Sequence, residues 1–150
     1  MTDQIKNSIK SGIYPKGEFT LEEIIQSIKN HHLIKKVGSI HTFSGIVRET
    51  SKNNKPVKGI KIDAYIELAN QSINKICEDI KKQLGIIEIV LIHFYGEFEL
   101  SEELVYVVVA SGHREEGFKA LRSAVERYKK EIAVWKREDF QDGTSEWVHQ

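Results

Sequence analysis

Apolar residues in this chain recur at two spacings, and each spacing predicts a kind of element. Leu21, Ile24, Ile25 and Ile28 stand three or four apart, which is one face of a helix. They follow Thr20-Leu21-Glu22-Glu23, in which the Thr20 hydroxyl can accept from the Glu23 amide while the Glu23 carboxylate reaches back. A short helix is therefore predicted from this capping box to about His31. Val37 to Val47 reads as a strand interrupted by Gly38 and Gly45. Ser51 to Pro56 is a polar, turn-rich excursion, and Lys58 to Tyr65 is a second strand in which Ile60, Ile62 and Ala64 alternate with Lys61, Asp63 and Tyr65. Ala69, Ile73, Ile76, Cys77, Ile80 and Leu84 trace one face of the clearest helix, with Lys75, Glu78, Asp79, Lys81 and Lys82 opposite and Gly85 at the stop position.

Two β-branched runs come next, Ile86 to Tyr95 and Leu104 to Ala110, joined by an acidic connection from Gly96 to Glu102. A second major helix begins near His113 and repeats Phe118, Leu121, Val125 and Tyr128. A short strand at Val134 to Arg137, a turn at Asp142-Gly143 and Trp147-Val148 complete the chain. The first fifteen or so residues read as loosely structured. The order α-β-β-α-β-β-α-β, with short connections that include hairpins, predicts an α+β domain with a mixed or antiparallel sheet and two main packing helices. No Gly-x-Gly-x-x-Gly follows a strand, and Walker, His-Glu-x-x-His and Gly-x-Ser-x-Gly motifs are missing.

Composition narrows the function classes. The 150 residues suit a single domain, 1–150. Lys plus Arg and Asp plus Glu both number 22, so no global charge draws the chain to nucleic acid. No long apolar run or signal-peptide core is present, which points to a cytoplasmic protein without a membrane span. A single cysteine, Cys77, shares the apolar face of Ile73, Ile76 and Ile80, so neither a disulfide, a zinc-thiolate site nor a catalytic thiol is expected. His31 and His32 are explained by a helix end, His41 and His93 are too far apart to pair on a metal, and the Glu97, Glu99, Glu102 and Glu103 cluster reads as a solvated loop. No cofactor is expected.

The candidate chemistry is local. Between Lys119 and Arg137, seven Lys/Arg stand against two Glu. Within that stretch Tyr128-Lys129-Lys130-Glu131-Ile132-Ala133-Val134-Trp135-Lys136-Arg137 carries an apolar insert between cations, so a helix gives way to a short buried segment with lysines at either end. Facing one cavity, Lys129 and Lys136 would hold an anion or act as nucleophiles, because clustered ammonium groups depress one another's pKa. Lys136 is the sharper candidate, following Trp135 in a strand that encloses its stem. Ser111-Gly112-His113-Arg114 sits where an apolar strand meets a helix, a junction suited to anions. Arg48 ends the first strand beside the polar excursion. The bland reading of each is a solvated surface cation.

Taken together, Gly38-Ser39-Ile40-His41-Thr42-Phe43-Ser44-Gly45-Ile46-Val47-Arg48, Asp63-Ala64-Tyr65, Ile92-His93-Phe94-Tyr95-Gly96-Glu97, Ser111 to Ala120, Lys129, Trp135-Lys136-Arg137-Glu138, Asp142-Gly143 and Trp147-Val148 resemble the large, catalytic subunit of molybdopterin synthase. The resemblance runs from about Gly38 to Val148, and residues 1–37 match poorly. It implies an α/β-hammerhead-like domain that forms a homodimer. Each protomer would bind a small ubiquitin-like sulfur-carrier subunit, giving a heterotetramer. The carrier's C-terminal Gly-Gly thiocarboxylate would supply sulfur to cyclic pyranopterin monophosphate (precursor Z), making the dithiolene of molybdopterin. Carried over by position, the two active-site lysines are Lys129 and Lys136. The phosphate and pterin contacts are Arg48, His113 and Arg114, and the pocket aromatic is Phe43. Some of these groups come from the neighbouring protomer in that family. The chain departs from the pattern at Ala133, where Pro is common, at Phe94, where Arg is common, and at Asp63, where Glu is usual. With one buried cysteine the chain has no persulfide of its own, so sulfur must arrive on a partner. The rival readings are a non-catalytic adaptor for the tail of a ubiquitin-like protein and, further behind, a nucleic-acid-binding domain using the Lys119 to Arg137 patch.

Overall fold

Each strand and helix of this chain takes its place from which of its faces must be covered. The computed structural model describes residues 9–148. Its elements are β1 (Gly12–Pro15), α1 (Leu21–Lys29), a 3-10 turn (Ile34–Lys36), β2 (Ser39–Ile46), β3 (Val57–Ala64), α2 (Ile66–Lys81), β4 (Ile86–Glu99), β5 (Glu103–Ser111), α3 (Arg114–Glu131), β6 (Val134–Phe140) and β7 (Ser145–Val148). The strands lie in the order β2-β5-β4-β3-β6-β7, all antiparallel, and β1 adds to β4 in parallel, so the sheet is mixed and the class is α+β as expected.

β4 joins the two halves of the sheet. Its first part, Ile86 to His93, pairs with β5, and its last part, Gly96 to Glu99, pairs with β3. Gly96 stands at the change with φ 130°, a conformation that L side chains rarely adopt. Both faces of the β4–β5 pair are covered. Ile89, Leu91, Val105, Val107 and Val109 pack with α2 and α3, while Val90, Ile92, Phe94, Tyr106, Val108 and Ala110 pack with Ile24 and Ile28 of α1. Burial on both sides is why these strands read as continuous apolar runs rather than as alternation. α1 is thus a third packing helix, on the face opposite the two main ones. Its capping box is present: the Glu23 amide donates to Thr20 Oγ1 at 3.2 Å, and the Thr20 amide donates to Glu23 Oε1 at 3.2 Å.

Several local expectations change. Gly12 to Pro15 is a strand, because its amides and carbonyls find the free edge of β4; residues 1–8 lie outside the described residues. The acidic connection shortens to three residues, since Glu97 and Glu99 are the solvent side of β4 and Phe98 between them is buried. β6 continues to Phe140, beyond Arg137. In α3 the buried stripe is Gly117, Ala120, Ala124 and Tyr128, and Phe118 is 60% exposed. Small residues give little hydrophobic signal in a sequence, yet they let the helix backbone approach the sheet closely. Phe94, at the position where the family that the chain resembles commonly has Arg, is buried in an apolar cluster, edge-on to Tyr106 with ring centroids 5.5 Å apart.

Candidate functional site

The site grows from the end of α3. Lys129 lies in the last turn, and Ile132, whose amide donates to the Tyr128 carbonyl at 3.4 Å, is buried. The Ala133 carbonyl then accepts from the Tyr65 amide at 3.1 Å, and the chain enters β6. Register does the rest. Lys136 stands between Ile62 of β3 and Val148 of β7, and Glu138 between Ile60 and Glu146, so Lys136 and Glu138 share one face. Trp135 and Arg137 point the other way. Trp135 is 49% exposed, which corrects the expectation that Ile132 to Trp135 together anchor the turn in the core; Ile132 does so.

Lys136 projects into a cavity of about 690 Å³. Of the six predicted site residues, Phe43, Arg48, Lys129 and Lys136 line it together. Its floor is a row of register neighbours across three strands, Gly45, Val105 and His93. Gly45 is required there, because a Cβ would stand 2.6 Å from Val105 Cγ1 and 3.5 Å from Phe43 Cε1. Tyr128 packs over this floor, its ring centroid 6.2 Å from that of Phe43 and 5.7 Å from that of His93. Lys52, from the polar excursion, and Glu138 complete the charged wall.

Burial first of all holds the Lys136 ammonium below the ordinary lysine range. Glu138 opposes this, and Lys129, Lys52 and Arg48 push in the same direction as burial. The mutual depression expected from clustered cations is therefore present but secondary to desolvation. His93 is wholly buried, and its pKa falls to about 4, chiefly through burial and against a bond to the Phe94 carbonyl. In the neutral ring Nδ1–H donates to that carbonyl at 3.0 Å, which leaves Nε2 as an acceptor. Burial raises the Tyr128 phenol to about 12. Phe43, Tyr128 and His93 thus offer an apolar, neutral wall, and Arg48, Lys52, Lys129 and Lys136 offer positive charge. An anionic ring system fits both.

His113 and Arg114 do not line this cavity. They are the N-cap and first residue of α3, at its other end, and both are exposed. Lys130 is exposed as well and stands apart from the lining. His41 and His93 lie in separate places. His41 is buried beside Ser39 and Ser111 under the start of α3. Among the described residues, no group of three His, Cys, Asp or Glu side chains is placed to hold a metal ion. Cys77 is buried, and desolvation is the main cause raising its thiol pKa. No helix among the described residues is long and apolar enough to cross a membrane. Residue-by-residue reading missed Lys52, Tyr128 and His93 as parts of one wall. A Lys in a turn and a Tyr on a helix stripe carry no signal until register and packing bring them together.

The family model described as MoaE protein matches residues 15–131. A probable molybdopterin synthase of Haloferax volcanii is 30% identical over 131 residues, covering 87% of this chain and 50% of the relative. A molybdopterin synthase catalytic subunit of Pyricularia oryzae is 34% identical over 112 residues, covering 75% and 61%. The chain therefore spans only about half to three-fifths of the length of these two relatives. Among solved structures, molybdopterin synthase from Staphylococcus aureus is 26% identical with a TM-score of 0.79, covering 93% of this chain and 97% of that one. A complex of subunits 1 and 2 of the molybdopterin-converting factor from Helicobacter pylori, 20% identical with a TM-score of 0.70 and covering 92% and 88%, shares the fold. A match over most of the chain, on a fold that independently gathers the two separated lysines into one cavity, leads to one conclusion: the chain belongs to the MoaE protein family.

Proposed function

We propose that this chain is the catalytic subunit of a molybdopterin synthase, transferring sulfur from the thiocarboxylate of a small carrier subunit to cyclic pyranopterin monophosphate. The observation that carries the reading is the half-buried Lys136, with its lowered pKa, in a cavity shared with Lys129, Arg48 and Phe43. The carrier sulfur attacks a substrate carbon, forming a C–S bond as a C–O bond of that carbon breaks and its oxygen leaves with the electron pair, to be protonated. Water then cleaves the acyl–sulfur bond, leaving sulfur on the substrate and a carboxylate on the carrier. A second loaded carrier repeats the step. Lys129 and Lys136 stabilise the oxyanions that develop, and Lys136 also donates a proton. Arg48 holds substrate phosphate and Phe43 packs on the pterin.

His113 and Arg114, remote from the cavity of their own chain, contact the substrate held by a second copy. The functional unit is then a homodimer carrying two small subunits. A cytoplasmic location belongs to the same proposal, and imaging of a tagged chain tests it.

Reconstitution tests the function. Mixed with thiocarboxylated carrier and precursor Z, the chain should form molybdopterin. Lys136→Ala should fold and bind carrier yet lose activity ~100-fold, the scale of losing one donor to a developing oxyanion. Carrier binding without turnover in the unmutated protein would favour the adaptor reading instead.

A further inference from the structure

We propose that half-buried Ser39 and buried His41 and Ser111 form a positioning device for His113 and Arg114; the inference rests on the reading above, in which that pair contacts substrate. Ser111 is fully buried and His41 nearly so. The Ser111 hydroxyl donates to the His113 carbonyl at 2.7 Å. Its one proton is thereby committed, so it accepts from Ser39 Oγ at 3.2 Å. Ser39 in turn accepts from His41 Nε2–H at 2.8 Å. The protons consequently run in one direction, from His41 through both serines to the carbonyl that joins His113 to Arg114.

Packing and backbone hydrogen bonds hold this turn from several sides. A Cβ at Gly117 would overlap the His41 ring and the Ser111 hydroxyl. Phe118 closes edge-on over His41 at 4.7 Å. The Gly38 amide donates to the Ser111 carbonyl at 2.9 Å and the Gly112 amide to the Gly85 carbonyl at 2.9 Å. The His113 carbonyl receives both the Ser111 hydroxyl and the Gly117 amide, the latter at 3.3 Å. Its peptide plane is pinned from below, and with it the direction of two exposed side chains that stand clear of the cavity of their own chain. His41 and Ser111 are buried and act through that carbonyl.

The test uses the reconstituted synthase with thiocarboxylated carrier and precursor Z. Ser111→Ala should raise the KM for precursor Z ~10-fold, the loss of about one hydrogen bond's worth of orientation, with kcat and carrier affinity unchanged. His41→Gln, which keeps a donor near the Nε2 position, should fold and recover most of the KM that His41→Leu loses. The decisive arm is a double-mutant cycle. In a His113→Ala, Arg114→Ala background, Ser111→Ala should add no further rise in KM, because it acts only through that pair. A full additional rise would mean a general structural role and overturn the proposal. So would an unchanged KM in Ser111→Ala while the His113→Ala, Arg114→Ala protein shows a raised one. If the His113→Ala, Arg114→Ala protein itself keeps a normal KM, the substrate role of the pair fails, and this inference falls with it.

Discussion

Lys136 differs from the other lysines of the basic stretch in its surroundings rather than in its chemistry. Lys129 and Lys130 are exposed on α3, whereas Lys136 is flanked by Ile62 and Val148 and half-buried. Its pKa is lowered, so it loses its proton at a lower pH than a free lysine. If its ammonium stabilises an oxyanion, the alkaline fall in kcat should therefore begin below the usual lysine range. Glu138 raises the Lys136 pKa. Glu138→Gln should then move that alkaline fall to lower pH, and Lys52→Gln should move it to higher pH. Superimposable pH–rate profiles for the three proteins would remove Lys136 from the step. His93 makes a separate prediction about stability. Its folded pKa of about 4 lies below the 6.5 of an unperturbed histidine, so the unfolded chain binds the extra proton between those values. Stability is full above pH 6.5 and is lost as pH falls toward 4, by about 3 kcal/mol at most. Urea unfolding of His93→Gln should show a flatter loss over that range than the unmutated protein. The spacing that singles out Lys136 is visible in the chain. The reason for His93 is not, since its solvent exclusion comes from Tyr128, 35 positions later in the chain.

At the level of elements, the site depends on how closely α3 and the sheet can approach. Gly117, Ala120 and Ala124 are buried without bulk, so the helix settles low enough for Tyr128 to reach Phe43 and His93. Gly45 does the same from the strand side. Gly45→Ala should drive its methyl into Val105 and toward Phe43, costing about 1–3 kcal/mol by overpacking. It should also lower molybdopterin formation more than the thermal shift alone explains; melting and turnover measured on the same preparation separate the two. The capping box, the α2 face from Ala69 to Ile80 and the two apolar runs were all legible in the chain, because each is a local pattern of one period; Leu84, read as the end of that face, instead lies beyond the helix, which stops at Lys81, and is 89% exposed. The α3 face was misread at Phe118 alone, because a Phe outweighs the small residues Gly117, Ala120 and Ala124 in any hydrophobic count; Leu121, Val125 and Tyr128 do pack against the core. The edge pairing of β1 was missed, because four residues of strand are stabilised only by the β4 edge they meet.

Across the whole molecule, one end of α3 carries Lys129 into the cavity and the other carries His113 and Arg114 away from it. A helix of 18 residues spans about 27 Å, too far for both ends to serve one pocket of the same chain. Two copies resolve this if each supplies the start of α3 to its partner. Mixing Lys136→Ala with Arg114→Ala, assayed at a precursor Z concentration well below the raised KM of the second so that each turns over only weakly alone, should then restore activity. Mixed dimers would hold one intact site, giving about a quarter of the unmutated rate for random pairing. No recovery after confirmed subunit exchange would place both residue sets in the same protomer's site.

What the sequence by itself determined is whatever repeats over a few residues. That includes the three helices, the capping box of α1, the β4 and β5 runs, the α+β class, and the spacing that puts Lys129 and Lys136 on either side of a buried Ile132. These follow from backbone periodicity and from the exclusion of apolar side chains from water, both local in their action. Tertiary structure alone decided which of those residues meet. Strand register set Lys136 beside Glu138 and away from Trp135, and close approach of α3 enclosed His93. The length of that helix parted His113 and Arg114 from the cavity. Burial changes the proton affinity of a side chain, and burial is a property of its neighbours, which lie far away along the chain.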